Sequence, residues 1–454
     1  MEKGIEEGAS RFVAFMPLAH WARGFDRYQM AYSKSWNPQR KLPGRFYMLA
    51  PGEGAGVEPG LAKARDLARR MGQSSEQVAW IEARLPTGAG AMERNRFSGT
   101  GVGWAWPGES VPLSAFGVCG ADGALAPLRH EELTARSYAA AREAGELGWA
   151  DCRPRSFSVL PVARACQASC AFCFSKASAS EAAGQGRLDP ELARAWAREA
   201  AARGTGRAVI TGGGEPTLRP LAELAELCEA LSAELGSTLL ISNGARWGAM
   251  PGDELARALG TMRDAGLSRL ALSRHGVGPD EEARAMGIRA NAARVAQAAR
   301  SAGLRTRSIC VMQRGLVDDA ASAERYARAM AAEGVSEVCF KELYVSSLSE
   351  NPWAASKENE HCEREQAPLG AAIAACEAMG LARAAELPWG APVYEGEVDG
   401  LAMSIACYVE PSVGWEQSRK VARSWNLFAD GSCLASLEDP RSALAPPWDP
   451  EASR

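Results

Sequence analysis

Three cysteines stand within eight residues, in the run Arg164-Ala165-Cys166-Gln167-Ala168-Ser169-Cys170-Ala171-Phe172-Cys173-Phe174. Thiolates this close along a chain can converge on one soft metal centre. Structural zinc asks for four protein ligands, usually in two pairs far apart in sequence. No second Cys-x2-Cys occurs here, and no histidine follows at finger spacing. A four-iron cluster also normally takes four cysteines, so three leave one iron open to another ligand. The alternatives are a group of buried thiols, or zinc completed by a distant cysteine. A second motif follows at Thr211-Gly212-Gly213-Gly214-Glu215-Pro216-Thr217. Consecutive glycines let backbone approach a neighbour closely, and Glu215 sets a carboxylate beside that backbone.

Other residues are weaker candidates. Asn243-Gly244 reads as a turn or a ligand contact. In Ser273-Arg274-His275-Gly276, His275 is an acid–base candidate or a loop hydrogen bonder. Lys341 and Glu342 suit either an ion pair or substrate recognition. Cys310 reads as core. The cysteines at 362, 376, 407 and 433 are separated by 14, 31 and 26 residues. That spacing is wide for an auxiliary cluster, and buried thiols are the plain reading.

The elements that must position these groups repeat. Apolar runs alternate with amphipathic stretches closed by Gly204, Gly236, Gly266, Gly303 and Gly334, at intervals of 32, 30, 37 and 31 residues. Such glycines suit the left-handed position after a helix, and about 30 residues is one strand plus one crossover helix. Asp189-Pro190 opens the first helix as N-cap and N1, with Leu192, Ala195 and Trp196 on one face. The second carries Leu221, Leu224, Cys228, Leu231 and Leu235 as a stripe. With the run Phe157 to Pro161 this predicts six strands between about 155 and 345, in a parallel sheet. The cysteines follow the first strand and the glycines the second. Both fall at strand ends, where active sites of parallel α/β folds lie.

The flanks differ. Residues 1–150 show one helical stretch, about 61–85, among many Gly, Pro and Trp. Residues 346–454 show a helix near 368–379 and a strand-like run from Met403 to Val409. The segment Arg423 to Cys433 reads as a cap over the strand ends or as a hairpin on Asp430-Gly431. The tail from Pro446 is expected to lack regular structure. The 454 residues carry 51 Lys plus Arg against 55 Asp plus Glu, a net charge of −4, which gives no reason to expect nucleic-acid binding. Mean hydropathy is −0.20, and no apolar run approaches the ~20 residues of a membrane span. The opening residues are acidic and lack the apolar stretch of a secretory signal. A cytoplasmic protein with no membrane partner is expected.

Cys-x3-Cys-x2-Cys after the first strand of a six-fold βα repeat, with Phe172 before the last cysteine and a Gly-Gly-Glu-Pro run one unit later, resembles the radical S-adenosylmethionine (radical SAM) superfamily. The resemblance covers about residues 155–345. It implies an α/β fold, a partial (β/α)6 TIM-like barrel over 151–345, here with an N-terminal extension of unknown role (1–150) and a C-terminal cap segment (346–454). It implies a [4Fe–4S] cluster on Cys166, Cys170 and Cys173, with the open iron binding S-adenosyl-L-methionine. By the same resemblance Phe172, Gly213, Gly214, Glu215, Asn243, Ser273 and Arg284 are cofactor-binding. Glu215 is then expected to serve SAM rather than the fold. Cys407 or Cys433 is the candidate hydrogen donor to a substrate radical. The implied activity is hydrogen abstraction from a small metabolite or natural-product intermediate, with an electron donor such as flavodoxin or ferredoxin. Modification of a ribosomal peptide, or a non-catalytic iron–sulfur or zinc protein, are the alternatives.

Overall fold

The computed structural model describes residues 148, 149, 151–346 and 351–446, and before them only strand segments and helical positions 62, 65, 69 and 139. The chain divides into two compact units, residues 1–148 with 412–419 and residues 149–411 with 420–454.

In the first unit the strands Tyr47–Leu49, Ala9–Pro17, Val78–Pro86, Phe116–Cys119 and Leu125–Pro127 form a sheet in that order, antiparallel throughout. The helix expected over 61–85 is corrected in its last part. Ala62, Arg65 and Arg69 are helical, but Val78–Pro86 is a strand paired residue for residue with Ala9–Pro17. Val78, Trp80 and Ile81 favour extended chain, and a nine-residue partner strand outweighs the helical spacing.

The second unit holds the repeated βα architecture. Its strands are β1 (Phe157–Leu160), β2 (Arg207–Ile210), β3 (Ser237–Ser242), β4 (Leu267–Ser273), β5 (Arg305–Val311) and β6 (Glu337–Lys341). Each pairs in parallel with the next. The crossovers are α1 (Pro190–Ala202), α2 (Leu221–Ser232), α3 (Gly252–Asp264), α4 (Pro279–Met286), α5 (Ala292–Ser301) and α6 (Ala320–Ala332). This is the expected partial (β/α)6 barrel. Asp189 caps α1, its side chain accepting from the Glu191 N–H at 3.0 Å. The buried face of α1 is Ala193, Trp196, Ala197 and Ala200, one position round from the expected stripe of Leu192, Ala195 and Trp196. Gly204, Gly266, Gly303 and Gly334 adopt left-handed φ after their helices; Gly236 does not.

The C-terminal chain extends the same sheet. After α7 (Lys357–Arg364) and α8 (Leu369–Ala378) come β7 (Ala382–Glu386), β8 (Pro392–Val398), β9 (Leu401–Tyr408), β10 (Trp425–Phe428) and β11 (Cys433–Leu434). The order is β7-β8-β9-β6-β5-β4-β3-β2-β1-β10-β11. β9 lies parallel to β6 and β10 parallel to β1. The six strands therefore gain a parallel neighbour at each edge, and the Asp430-Gly431 hairpin joins β10 to antiparallel β11. Val209, Leu239 and Ala271 form a buried cluster with Ile241 and Ile309 against it, the layered filling of a barrel interior. At the N-terminal strand ends, Glu337 pairs with Arg269 at 3.0 Å and Arg307 at 2.7 Å. Among the described residues no helix is long and apolar enough to cross a membrane. The tail beyond Pro446 lies outside the described residues.

Candidate functional site

The cysteine loop leaves β1 and is pinned at its centre by the Ser169 N–H, which donates to the Met286 carbonyl at the end of α4 at 2.8 Å. Cys166 is exposed; Cys170 and Cys173 are half-buried. Two donors point at the Cys166 sulfur, the Ala168 N–H at 3.4 Å and Asn243 Nδ2 at 3.6 Å. Such donors favour thiolate over thiol. Burial, and then the neighbouring thiols, push Cys170 up to about 12. Burial also raises Cys166. Among the described residues no three His, Cys, Asp or Glu side chains converge as donors to a single ion. A four-iron cluster takes one thiolate per iron and needs no convergence on one point.

The glycine loop leaves β2 and locks onto the cysteine loop. Gly214 N–H donates to the Val162 carbonyl at 2.9 Å and Glu215 N–H to Ala165 at 2.8 Å. A Cβ on Gly213 would meet the Ala163 oxygen at 1.9 Å, and one on Gly214 the Ala165 oxygen at 2.0 Å. These glycines are thus required by backbone packed on backbone. Glu215 is 3% exposed, and its carboxylate accepts four hydrogen bonds. Oε1 takes the Thr217 N–H at 3.1 Å, Thr217 Oγ1 at 2.6 Å and Ser242 Oγ at 2.7 Å. Oε2 takes the Asn243 N–H at 2.8 Å. Glu215 therefore ties the end of β2 to the end of β3, a structural task that the expectation of a pure ligand role left out. Only Oε2, with one bond, keeps ready acceptor capacity.

Both loops open on one cavity of about 420 Å3 over the C-terminal ends of the parallel strands. Cys166, Cys170, Phe172, Cys173, Gly214, Glu215, Asn243 and Ser273 all line it. His275 does too, but its Nδ1 accepts from the Val311 N–H at 3.0 Å. Burial and nearby Lys341 push its pKa down to about 3, so it is a neutral loop hydrogen bonder. Phe172 meets its ring edge-on at 5.0 Å. Also on the cavity wall, Lys341 pairs with Glu410 rather than Glu342, and Arg423 pairs with Glu410 as well. Despite burial, these two cations hold Glu410 down at about 2. Tyr408 OH donates to Glu410 at 2.9 Å.

Other expected site residues lie elsewhere. Gly213 faces Ala163 and Ser180 rather than the cavity. Arg284 is exposed, donates to the Gly315 carbonyl at 3.2 Å and lines a separate shallow depression with Asp280 and Arg289. Cys407 is buried on β9, where a hydrogen bond with Cys376 and then burial raise its pKa strongly. Cys433 is buried in the β10–β11 hairpin. Neither lines the cavity. Of the C-terminal cysteines, the one that does is Cys362 on α7, with Glu358 one turn before it. Sequence reasoning missed Glu358 as a wall residue, and no motif marks it. Glu410 was findable in principle, since it follows the strand-like run that ends at Val409.

Residues 160–325 match the family model of the radical SAM superfamily, and this part of the chain is a radical SAM domain. No curated protein matches the chain. Among solved structures it is similar to SuiB of Streptococcus suis bound to S-adenosylmethionine, at 13% identity and TM-score 0.36, over 69% of this chain and 65% of that one. It is also similar to the radical SAM coproporphyrinogen III oxidase HemN of Escherichia coli, at 12% identity and TM-score 0.33, over 52% and 53%. A third is the FeFe-hydrogenase maturase HydG of Carboxydothermus hydrogenoformans, at 13% and 0.33, over 48% and 51%. The chain spans between half and two thirds of their lengths. The superfamily uses a [4Fe–4S] cluster and S-adenosylmethionine. The residues present fit that pair: three thiols on one loop, hydrogen bonds aimed at a sulfur, and a cavity within the size range of small-ligand sites.

Proposed function

We propose that this chain is a radical SAM enzyme that takes a hydrogen atom from an unactivated carbon of a small metabolite or natural-product intermediate. The supporting observation is the lock between the two motif loops. Gly214 to Val162 and Glu215 to Ala165 are bonded backbone to backbone, so the three thiols and the glycine loop share one wall of one cavity. Cys166, Cys170 and Cys173 would hold the cluster, leaving one iron for S-adenosylmethionine. When bound, the pair supplies a 5′-deoxyadenosyl radical on reduction; the chemistry belongs to the cofactors, and the protein binds, orients and excludes water.

The chain's own residues suit that division. Asn243 Nδ2 and the Ala168 N–H hold the Cys166 sulfur. The Phe172–His275 pair walls one side with a neutral ring. Beside it the Lys341–Glu410–Arg423 group makes the wall polar. The hydrogen-donor role considered for Cys407 and Cys433 gains no support from their positions. The test is anaerobic reconstitution followed by reduction with S-adenosylmethionine present. About four irons and four sulfides per chain are expected, with release of 5′-deoxyadenosine. A substrate deuterated at the reacting carbon should pass deuterium into that product. Stoichiometric zinc without iron, or no 5′-deoxyadenosine from reduced protein, overturns the reading.

A further inference from the structure

Resting on that reading, one side chain of the cavity deepens it. Among the described residues, the carboxylates, histidine and cations of the wall are matched, with one exception. Glu215 accepts four hydrogen bonds. Glu410 is held by Lys341 and Arg423, which it neutralises in turn; Arg423 also approaches Glu438 at 3.7 Å. His275 is neutral, and Glu342 is engaged. Glu358 remains. It is 5% exposed and lines the cavity. Among the described residues its carboxylate has neither a hydrogen bond nor an ion pair. A carboxylate on so buried a residue, open only to a cavity and with no protein partner, is poorly compensated. Such a group is expected where a ligand supplies the partner.

Its setting specifies that partner. Glu358 stands in the first turn of α7, capped by Ser356. Cys362, one turn on, shares its face and the cavity. Next to it Asn359 is fixed, accepting from the Ser346 N–H at 2.8 Å and donating to its carbonyl at 3.1 Å, which holds the helix start in place. Cys362 packs against Leu343 and Val345, with Phe172 beside them, so the carboxylate shares its helix face with a thiol on the Phe172 side of the cavity. Burial, then Glu358, then Cys173 push the Cys362 thiol up to about 12. Neither form of a thiol carries positive charge, so Cys362 supplies no countercharge. The free charge of the wall is negative, while its cations are already clasped by Glu410.

We infer that Glu358 is a specificity-determining residue that receives a cationic group of the substrate, a primary ammonium or a guanidinium. An anionic substrate would have to displace Glu410 from two cations at once; a cationic one meets an empty carboxylate. The methionyl ammonium of S-adenosylmethionine is a second source of the same chemistry, and the test separates the two.

The probes are n-butylammonium, n-butanol and n-butyrate, titrated calorimetrically into the anaerobically reconstituted full-length protein. Wild type should bind the ammonium roughly tenfold to a hundredfold more tightly than the alcohol, the span of a charge-assisted hydrogen bond. Glu358→Gln should erase that preference without altering S-adenosylmethionine affinity or iron content. Glu358→Asp, which keeps the charge, should retain part of it and decides the matter if the Gln variant does not fold. No preference in wild type, or a preference surviving in Glu358→Gln, overturns the inference. A tenfold loss of S-adenosylmethionine affinity in Glu358→Gln overturns it in favour of the cofactor's own ammonium. Release of 5′-deoxyadenosine with no ammonium preference would sink this inference alone. The preference without any 5′-deoxyadenosine would sink the radical reading and leave the cation site standing.

Discussion

Replacing Glu215 by glutamine should cost stability before any cofactor binds. The carboxylate takes three donors on Oε1 and one on Oε2. Glutamine keeps one oxygen and turns the other position into a donor. Its better orientation keeps the three bonds to Thr217 and Ser242 and points the NH2 at the Asn243 N–H, 2.8 Å from the present oxygen. That bond is lost and becomes a donor facing a donor. Hydrogen bonds to a charged group are worth ~1.5–3 kcal/mol each, and the other three weaken when the charge goes. A loss of about 2–4 kcal/mol follows, which for a unit of this size lowers Tm by roughly 4–16 °C. The assay is thermal unfolding of anaerobically purified protein without S-adenosylmethionine, followed by circular dichroism, with Ser242→Ala as a milder control. An unchanged Tm together with a large loss of S-adenosylmethionine affinity would refute the reasoning and return Glu215 to a ligand role alone.

Replacing Cys166, Cys170 and Cys173 together by alanine should abolish iron and sulfide uptake while leaving secondary structure intact; retention of about four irons per chain would move the cluster elsewhere. Gly214→Ala places a Cβ 2.0 Å from the Ala165 oxygen. It should cost ~1–3 kcal/mol or more in denaturant unfolding and impair cluster loading; wild-type stability would show that the two loops are not locked. Glu410 has its folded pKa lowered from 4.5 to about 2. Its contribution, about 3 kcal/mol, is therefore complete above pH 4.5 and drains away as pH falls toward 2. The stability gap between wild type and Glu410→Gln should narrow over that window, and a gap independent of pH would reject the pairing. Arg284→Ala should leave S-adenosylmethionine affinity within about twofold of wild type, measured by equilibrium dialysis; a tenfold loss would bring this exposed arginine to the cofactor.

The six-strand repeat was legible because each unit carries its own punctuation. Asp189-Pro190 opens a helix and Gly204 closes it, and the strand that follows has one place to go. Such signals act over a few residues, so they survive in a single sequence. The helix drawn over 61–85 failed for the opposite reason. The strand Val78–Pro86 is decided by a partner some seventy residues upstream, and local spacing does not record a partner. The edge strands β9 and β10 show the same limit. Met403 to Val409 looked like a strand, but nothing local says that it joins β6, or that Trp425–Phe428 crosses back to lie parallel to β1.

The same distinction divides the candidate site. The thiol-bearing half is written in two short motifs because one loop of eight residues carries three thiols, and a second loop must lie against it without side chains. The polar wall has no motif because its members meet only through the sheet. Lys341 ends β6, Glu410 follows β9, and Arg423 precedes β10. The parallel pairings that bring them together separate their sequence positions by up to 82 residues. Ser158 and Ser424, 266 residues apart, are 2.7 Å from each other on the same wall. Even the legible half changed meaning in three dimensions. A run of glycines beside a carboxylate reads as a ligand cradle, yet Gly213 abuts Ala163, Gly214 abuts Ala165, and the Glu215 carboxylate is largely spent on Thr217, Ser242 and Asn243. The motif's first task is therefore to hold the cysteine loop against the barrel. Whatever it gives a ligand must come through the free capacity of Oε2 and the faces of Gly212 and Gly214 that reach the cavity.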